Sequence, residues 1–316
     1  MKIDELVNQE MREAIKIDSE LKAEIPSDGP WDTETYRRQY NLSRAYWNRN
    51  GPVMAQTRDL TIDHEGKSIP CRIHYPKTQN ESNLPALIFF HGGGWVVGNL
   101  DTHDRIMREL AHRSSHAVLG VDYPLSPETR FPDSYDDALH IAETVLSDGE
   151  RFSLAPGAVS LGGDSAGAHI SLYCALQLRK SSLPSIRALI LIYGAFGLLD
   201  SASRRLFGDN DVGFSNASMD FYIQALMGDD VDPVTGGYDL LGNDLAGLPP
   251  SLITTCSLDL LRDDGVALAE LMSRANVVNE LVNYDGVLHG YVHMSEQVSD
   301  AVDTLERCAD WLKVHS

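Results

Sequence analysis

Apolar residues follow two rhythms along this chain, and the change of rhythm divides it. Over residues 1 to about 50 they recur at helical spacing among many charges, as in MKIDELVNQEMREAIKIDSE. Pro26, Gly29 and Pro30 break that run in two ahead of an aromatic-rich stretch, YRRQYNLSRAYW. From about residue 56, short runs of β type alternate with helical stretches. The runs are RDLTID, PCRIHY, ALIFF, AVLGVDY, AVSLG, ALILIY, SLITT and ELVNY, with helical patterns near 103–114, 134–147, 167–180, 263–275 and 295–314. This alternation predicts an α/β fold, a mostly parallel sheet covered by helices on both faces. Residues 1–50 then form a helical lid segment and 51–316 one α/β domain. Within that domain, 200–245 is a polar, glycine-containing insertion between strands. Such insertions sit over the C-terminal edge of an open sheet, where ligands bind, so this one is expected to complete the lid.

Composition narrows the classes. A chain of 316 residues with 43% hydrophobic content can bury a full core without staples. Cys71, Cys174, Cys256 and Cys308 are far apart and lack the paired spacings of zinc or redox sites, so they read as free, buried thiols. The charged N-terminus lacks the apolar core of a secretory signal, and ALILIYGAFGLL is too short to span a bilayer, which leaves the cytoplasm as default location. A formal net charge of −20 disfavours nucleic acid and anionic membranes as partners and reads as solubility or adaptation to salt.

The candidate chemistry centres on GDSAG, Gly163 to Gly167, which lies between a predicted strand and a predicted helix. A G-x-S-x-G turn in that context projects its serine above the sheet, and the helix start offers the Ala166 N–H to a developing anion. HGGGW, His91 to Trp95, follows the strand ALIFF and suits an oxyanion hole, with the amides of Gly92 and Gly93 joining that of Ala166. The competing phosphate-loop reading fails on spacing, since GGGWVVG lacks the G-x-G-x-x-G pattern and is followed by no Lys-Ser/Thr pair. His91 is read as a local hydrogen-bonding residue.

A serine nucleophile needs a base and a group to orient it. Asp259, after SLITT, and His289, after ELVNY, fit the order serine, acid, histidine. Asp263 and Asp264 rival the acid but open the next helix, where they suit capping it or favouring its dipole, and Asp285 suits a turn. His293 is the alternative base. A His289/His293 metal pair lacks a supporting carboxylate or third histidine, and no metal is expected. His112 and His116 are expected on a solvated helix face, and Asp229, Asp230 and Asp232 on solvated surface.

Taken together, HGGGW, GDSAG, the acid in LDLLRDDG and the histidine in LHGY resemble the hormone-sensitive-lipase-like branch of α/β-hydrolase esterases. GNLDTHDRIMRELA, VDYPLSPETRFPDSYDDA, RRLFG and the aromatic N-terminal segment also look like the bacterial acetyl esterases of that branch. The resemblance implies an α/β-hydrolase fold, hydrolysis of short-chain acyl esters from acetyl to about hexanoyl, no cofactor, a cytoplasmic location and a homodimer. It carries the nucleophile to Ser165, the acid to Asp259 and the base to His289. Two departures are visible: Leu260 stands where the branch has proline, and Tyr291 where it often has phenylalanine. Tyr291 and Trp95 are the expected substrate-pocket residues. Deacetylation of a sugar or small metabolite is the neighbouring activity, and a non-catalytic small-molecule receptor is the alternative class.

Overall fold

The computed structural model describes residues 3–25, 32–78, 82–209 and 214–316. The breakers Pro26, Gly29 and Pro30 lie outside the described residues. On either side of them stand Gln9–Ala23 (α2), preceded by the single turn Ile3–Leu6 (α1), and Thr33–Trp47 (α3). Side-chain caps start both long helices: Asn8 accepts the Met11 N–H at 2.8 Å, and Asp32 accepts those of Glu34 and Thr35 at 3.1 and 3.3 Å. Asp18 of α2 ties the pair together by accepting from the Ser43 hydroxyl and, at 3.3 Å, from the Trp47 indole.

All eight predicted strands form: Gln56–His64 (β1), Lys67–Tyr75 (β2), Leu84–Phe90 (β3), Ala117–Val121 (β4), Leu154–Asp164 (β5), Leu189–Ile192 (β6), Ser251–Cys256 (β7) and Asn279–Tyr284 (β8). They make one sheet in the order β1-β2-β4-β3-β5-β6-β7-β8, antiparallel at β1/β2 and β2/β4 and parallel elsewhere. Between them lie Asp104–Ser114 (α4), Asp133–Asp148 (α5), Ala166–Leu178 (α6), Ala202–Phe207 (α7), Asn216–Met227 (α8), Arg262–Arg274 (α9) and Ser299–His315 (α10).

The continuous apolar runs are explained by burial on both faces. Along β3, Ala86, Ile88 and Phe90 join the core that includes residues of α5, α6 and α8, while Leu87 and Phe89 join the one that includes residues of α4 and α10. β4 and β5 lie on opposite sides of β3, so the strand order reverses there, and the loops after β3 and β5 emerge side by side at the C-terminal edge. Over the same edge, the α8 Tyr222 hydroxyl donates to the α3 Tyr36 hydroxyl at 2.7 Å, joining insertion to N-terminal segment.

Two local expectations are corrected. Asp263 and Asp264 stand in the first turn of α9 as expected, yet neither caps it; they hold the base of the insertion to it. Oδ1 of Asp264 accepts the N–H groups of Phe196, Gly197 and Leu198 at 2.6, 3.0 and 3.2 Å, and Asp263 accepts that of Ser203 at 2.8 Å. His116 is not on a solvated helix face. It lies past the end of α4, 3% exposed, with Nε2 2.6 Å from the Ser316 hydroxyl. Asp229, Asp230 and Asp232 are exposed as expected, and no described helix is long and apolar enough to cross a membrane.

Candidate active site

β5 ends at Asp164 and α6 begins at Ala166, leaving Ser165 at the turn with φ 52° and ψ −117°. A left-handed φ is strained for any residue with a β-carbon, so the surroundings must hold it there. Close approach of the backbone does so: a Cβ on Gly163 would stand 2.2 Å from the Phe90 carbonyl oxygen, and one on Gly167 only 1.8 Å away. The Ser165 N–H is fixed by the Ile192 carbonyl at 2.8 Å. The residue lines a cavity of about 270 Å³.

β7 and β8 run parallel and adjacent to each other, and the loops that follow them carry Asp259 and His289 to the same edge. His289 Nε2 lies 2.9 Å from Ser165 Oγ, a contact across 124 residues of sequence, and His289 Nδ1 lies 2.7 Å from Asp259 Oδ2. Asp259 is 2% exposed, and its Oδ1 accepts the Leu261 N–H at 2.9 Å, which fixes the carboxylate despite the missing proline. The Phe214 ring stacks on the imidazole at 4.7 Å, and Tyr193 flanks it at 4.8 Å. A hydroxyl, an imidazole and a carboxylate in series is the arrangement that lets serine lose its proton as it attacks.

Neither rival takes the place of Asp259 or His289 in this series, although His293 lines the same cavity. Asp285 accepts the Asn283 amide at 3.2 Å in the turn that Gly286 completes at φ 73°. His293 is buried, with its ring edge-on to those of Tyr40 and His103 at 6.5 and 4.5 Å, and burial lowers its pKa far below the ordinary histidine value. All four cysteines are buried, and burial raises their thiol pKa values, Cys71 to about 12, so none is a competing nucleophile.

In the oxyanion loop, the expectation for Gly92 is corrected. Its N–H already donates to Asp164 Oδ1 at 2.8 Å. The glycines that line the cavity are Gly93 and Gly94, at φ 121° and 57°. Ala166 opens α6, so its N–H has no partner inside the helix. His91 keeps its expected local role: Nδ1 sits 2.8 Å from the Gly92 carbonyl, its ring stacks on Tyr123 at 4.4 Å, and burial pushes its pKa down to about 3.

The expected pocket residues are likewise corrected, since neither lines the cavity. Tyr291 is fully buried and its hydroxyl pairs with that of Thr304. Trp95, 2% exposed, packs edge-on against His169 and Tyr238 at 5.6 and 6.0 Å. The lining comes instead from Tyr36, Tyr40 and Arg44 of α3, from Phe214 and from Tyr222 of α8. The sequence singled out the segment holding Tyr36, Tyr40 and Arg44 for its aromatic content, but no motif marked these residues individually as pocket lining.

Asp164, the variable position of GDSAG, was also missed. It gathers Gly92 N–H, His103 Nε2 at 3.2 Å and the Tyr193 hydroxyl at 3.4 Å. The expectation that no carboxylate or further histidine supports His293 is therefore corrected: the ligand atoms of His103, Asp164 and His293 lie within 4.8 Å of one another. That spacing suits a metal, but Asp164 Oδ1 already accepts from Gly92, and the positive charge of Arg44 bears on His293, which opposes a second cation. The cluster fits a scaffold for the oxyanion loop better.

With this geometry in view, comparison with known proteins gives the class. A family model described as the alpha/beta hydrolase fold matches residues 87–293. The chain belongs to that family, in its hormone-sensitive-lipase-like branch, and its class is that of the carboxylic ester hydrolases. An acetyl esterase of Salmonella paratyphi A is 34% identical over 302 residues, 92% of each chain. Among solved structures, a hyperthermophilic esterase from the archaeon Pyrobaculum calidifontis aligns with a TM-score of 0.90 at 28% identity, over 98% of each chain. A thermostable carboxylesterase cloned from a metagenomic library aligns at 0.85 and 29% identity, over 90% of this chain and 97% of its own.

Proposed function

We propose that the protein hydrolyses short-chain acyl esters through an acyl-enzyme on Ser165, with His289 as the base and Asp259 as its orienting acid. The observation that carries this reading is the hydrogen-bonded series Asp259–His289–Ser165, at 2.7 and 2.9 Å, opening into the cavity. Ser165 Oγ attacks the ester carbonyl carbon while its proton passes to His289 Nε2. The N–H groups of Gly93, Gly94 and Ala166 receive the oxyanion, each such donor being worth about 10²–10³ in rate. His289 returns the proton to the departing alcohol, then takes one from water as water attacks the acyl carbon and gives it to Ser165 Oγ as the acyl–oxygen bond breaks and the acid leaves.

Short chains are supported by the cavity itself. About 270 Å³, roofed by α2, α3 and α8, is at the small end for a ligand pocket. The N-terminal helices and the insertion act as one lid over it. Hydrolysis of 4-nitrophenyl acetate, butyrate, octanoate and laurate, with a chelator in a parallel series, tests the proposal. Expected are rates that peak at the short chains, ignore the chelator and fall at least about 10⁴-fold in Ser165→Ala. Undiminished activity in that variant would overturn it.

A further inference from the structure

Three charged side chains that ester hydrolysis does not require line the cavity: Asp18 and Lys22, which pair with each other, and Arg44. Arg44 of α3 lines it and is 9% exposed, yet its Nε and Nη1 are buried without a hydrogen-bond partner. Unpaired donors on a buried cation are among the most costly polar groups a fold can leave unmet. Little nearby meets the need. The guanidinium carbon lies over the Tyr40 ring at 4.7 Å, and Tyr40 is also its side-chain hydrogen-bonding neighbour, which leaves Nε and Nη1 unmet. The carboxylate of Asp18 bears on Arg44 only at longer range. Its Oδ2 pairs with Lys22 at 2.6 Å, and its Oδ1 is taken by Ser43 and Trp47. Among the described residues, the ion pairs of this wall are those of Asp18 and not of Arg44.

The guanidinium also stands close to the reacting groups. A Cβ built on Gly290, the residue after His289, would lie 3.5 Å from Arg44 Nη2. A planar fork of donors matches a carboxylate in geometry and charge better than it matches water or a neutral carbonyl.

We infer that the esters this cavity selects carry a carboxylate, held by the Arg44 guanidinium while Ser165 attacks the ester carbonyl. This rests on the esterase reading above and adds to it a substrate class. With a net charge of −20 the chain repels anions at a distance, so the selection is made at contact range, inside the cavity. The carboxylate belongs either to the acyl part or to the alcohol part, and the test separates the two.

Two isosteric pairs are compared. 4-Acetoxybenzoate and its methyl ester place the charge on the leaving alcohol; mono-4-nitrophenyl glutarate and its methyl ester place it on the acyl group. Wild type, Arg44→Lys and Arg44→Met are assayed on all four. Expected is a lower KM for the anionic member of at least one pair in wild type, and that pair names the side. Arg44→Met should raise KM for that anion about 10- to 100-fold, with the neutral member changed only a few-fold, and Arg44→Lys should recover part of the loss. A wild type that disfavours both anions would overturn the inference, as would an Arg44→Met variant slowed equally on anionic and neutral esters. The wild-type comparison decides if Arg44→Met fails to fold. Calorimetric titration of Ser165→Ala with 4-acetoxybenzoate, mono-4-nitrophenyl glutarate and their methyl esters reads binding without turnover. Tighter binding of an anion by Ser165→Ala, together with a wild type that hydrolyses none of the four esters, would overturn the esterase reading and keep the anchor; equal binding within both pairs would overturn the anchor.

Discussion

Ser165 and Tyr291 mark the two kinds of residue-scale inference. The serine was legible because its requirement is local: a strained turn needs glycines where the chain passes within van der Waals distance of Phe90, and GDSAG writes those glycines into five consecutive letters. The tyrosine was not, because the direction of its hydroxyl depends on α10, which supplies Thr304. Tyr291→Phe should therefore cost about 1 kcal/mol of stability and leave kcat/KM unchanged on every ester, since Thr304 keeps its bond to the Asp300 carbonyl at 2.8 Å. Denaturant midpoints and a chain-length series check it, and a shifted chain-length preference would return Tyr291 to the pocket. Gly92 teaches the same lesson on the main chain. Three consecutive glycines look alike in sequence, and only the approach of Asp164 takes the first amide out of play.

Among the elements, α3 ties the proposed lid to the domain through Arg37. Arg37 donates to the Val96 carbonyl at 2.7 Å and to the Ser126 carbonyl at 3.0 Å, and it pairs with both oxygens of Glu128 at 2.8 Å. Its bond to Val96 reaches the loop that presents Gly93 and Gly94, so lid position and oxyanion geometry are coupled through one side chain. The exposed Glu128 pair is worth little, whereas the carbonyl bonds from a charged donor are each worth about 1.5–3 kcal/mol. Arg37→Ala should accelerate amide exchange across Thr33–Trp47 and raise KM several-fold, with exchange in α6 and β5 unchanged. Unaltered exchange in α3 would mean that its packing alone holds it. The helical rhythm of this segment was legible; its position over the cavity was not, because an amphipathic face does not name what it packs against.

For the whole molecule, the reversal of strand order at β3 decides where chemistry is placed, and one carboxylate ties the insertion to that frame. Asp264 offers Oδ1 to three N–H groups, while Oδ2 is buried without a partner. Burial, only partly offset by those bonds, raises its pKa to about 7 from an ordinary 3.8, so the native state holds a proton that the unfolded chain releases. The sign follows: this stabilisation is complete below about pH 4 and is lost as pH rises toward 7. Urea midpoints from pH 4 to 8, measured against Asp264→Asn, should show the wild type losing stability relative to the variant over that interval. A difference independent of pH would show that Asp264 carries no proton in the native protein.

The sequence by itself determined the eight strands and the helices between them, because each rests on periodicity, and it marked Ser165, Asp259 and His289 as the candidates that the hydrogen-bonded series brings together. Tertiary structure alone decided which loop amides stay free, which aromatic rings line the cavity and that Arg44 lines it with Nε and Nη1 unpartnered. Those properties depend on atoms brought together across tens to hundreds of residues, as Ser165 and His289 are across 124. A local pattern fixes what an element is, and the packing of elements fixes what its side chains meet.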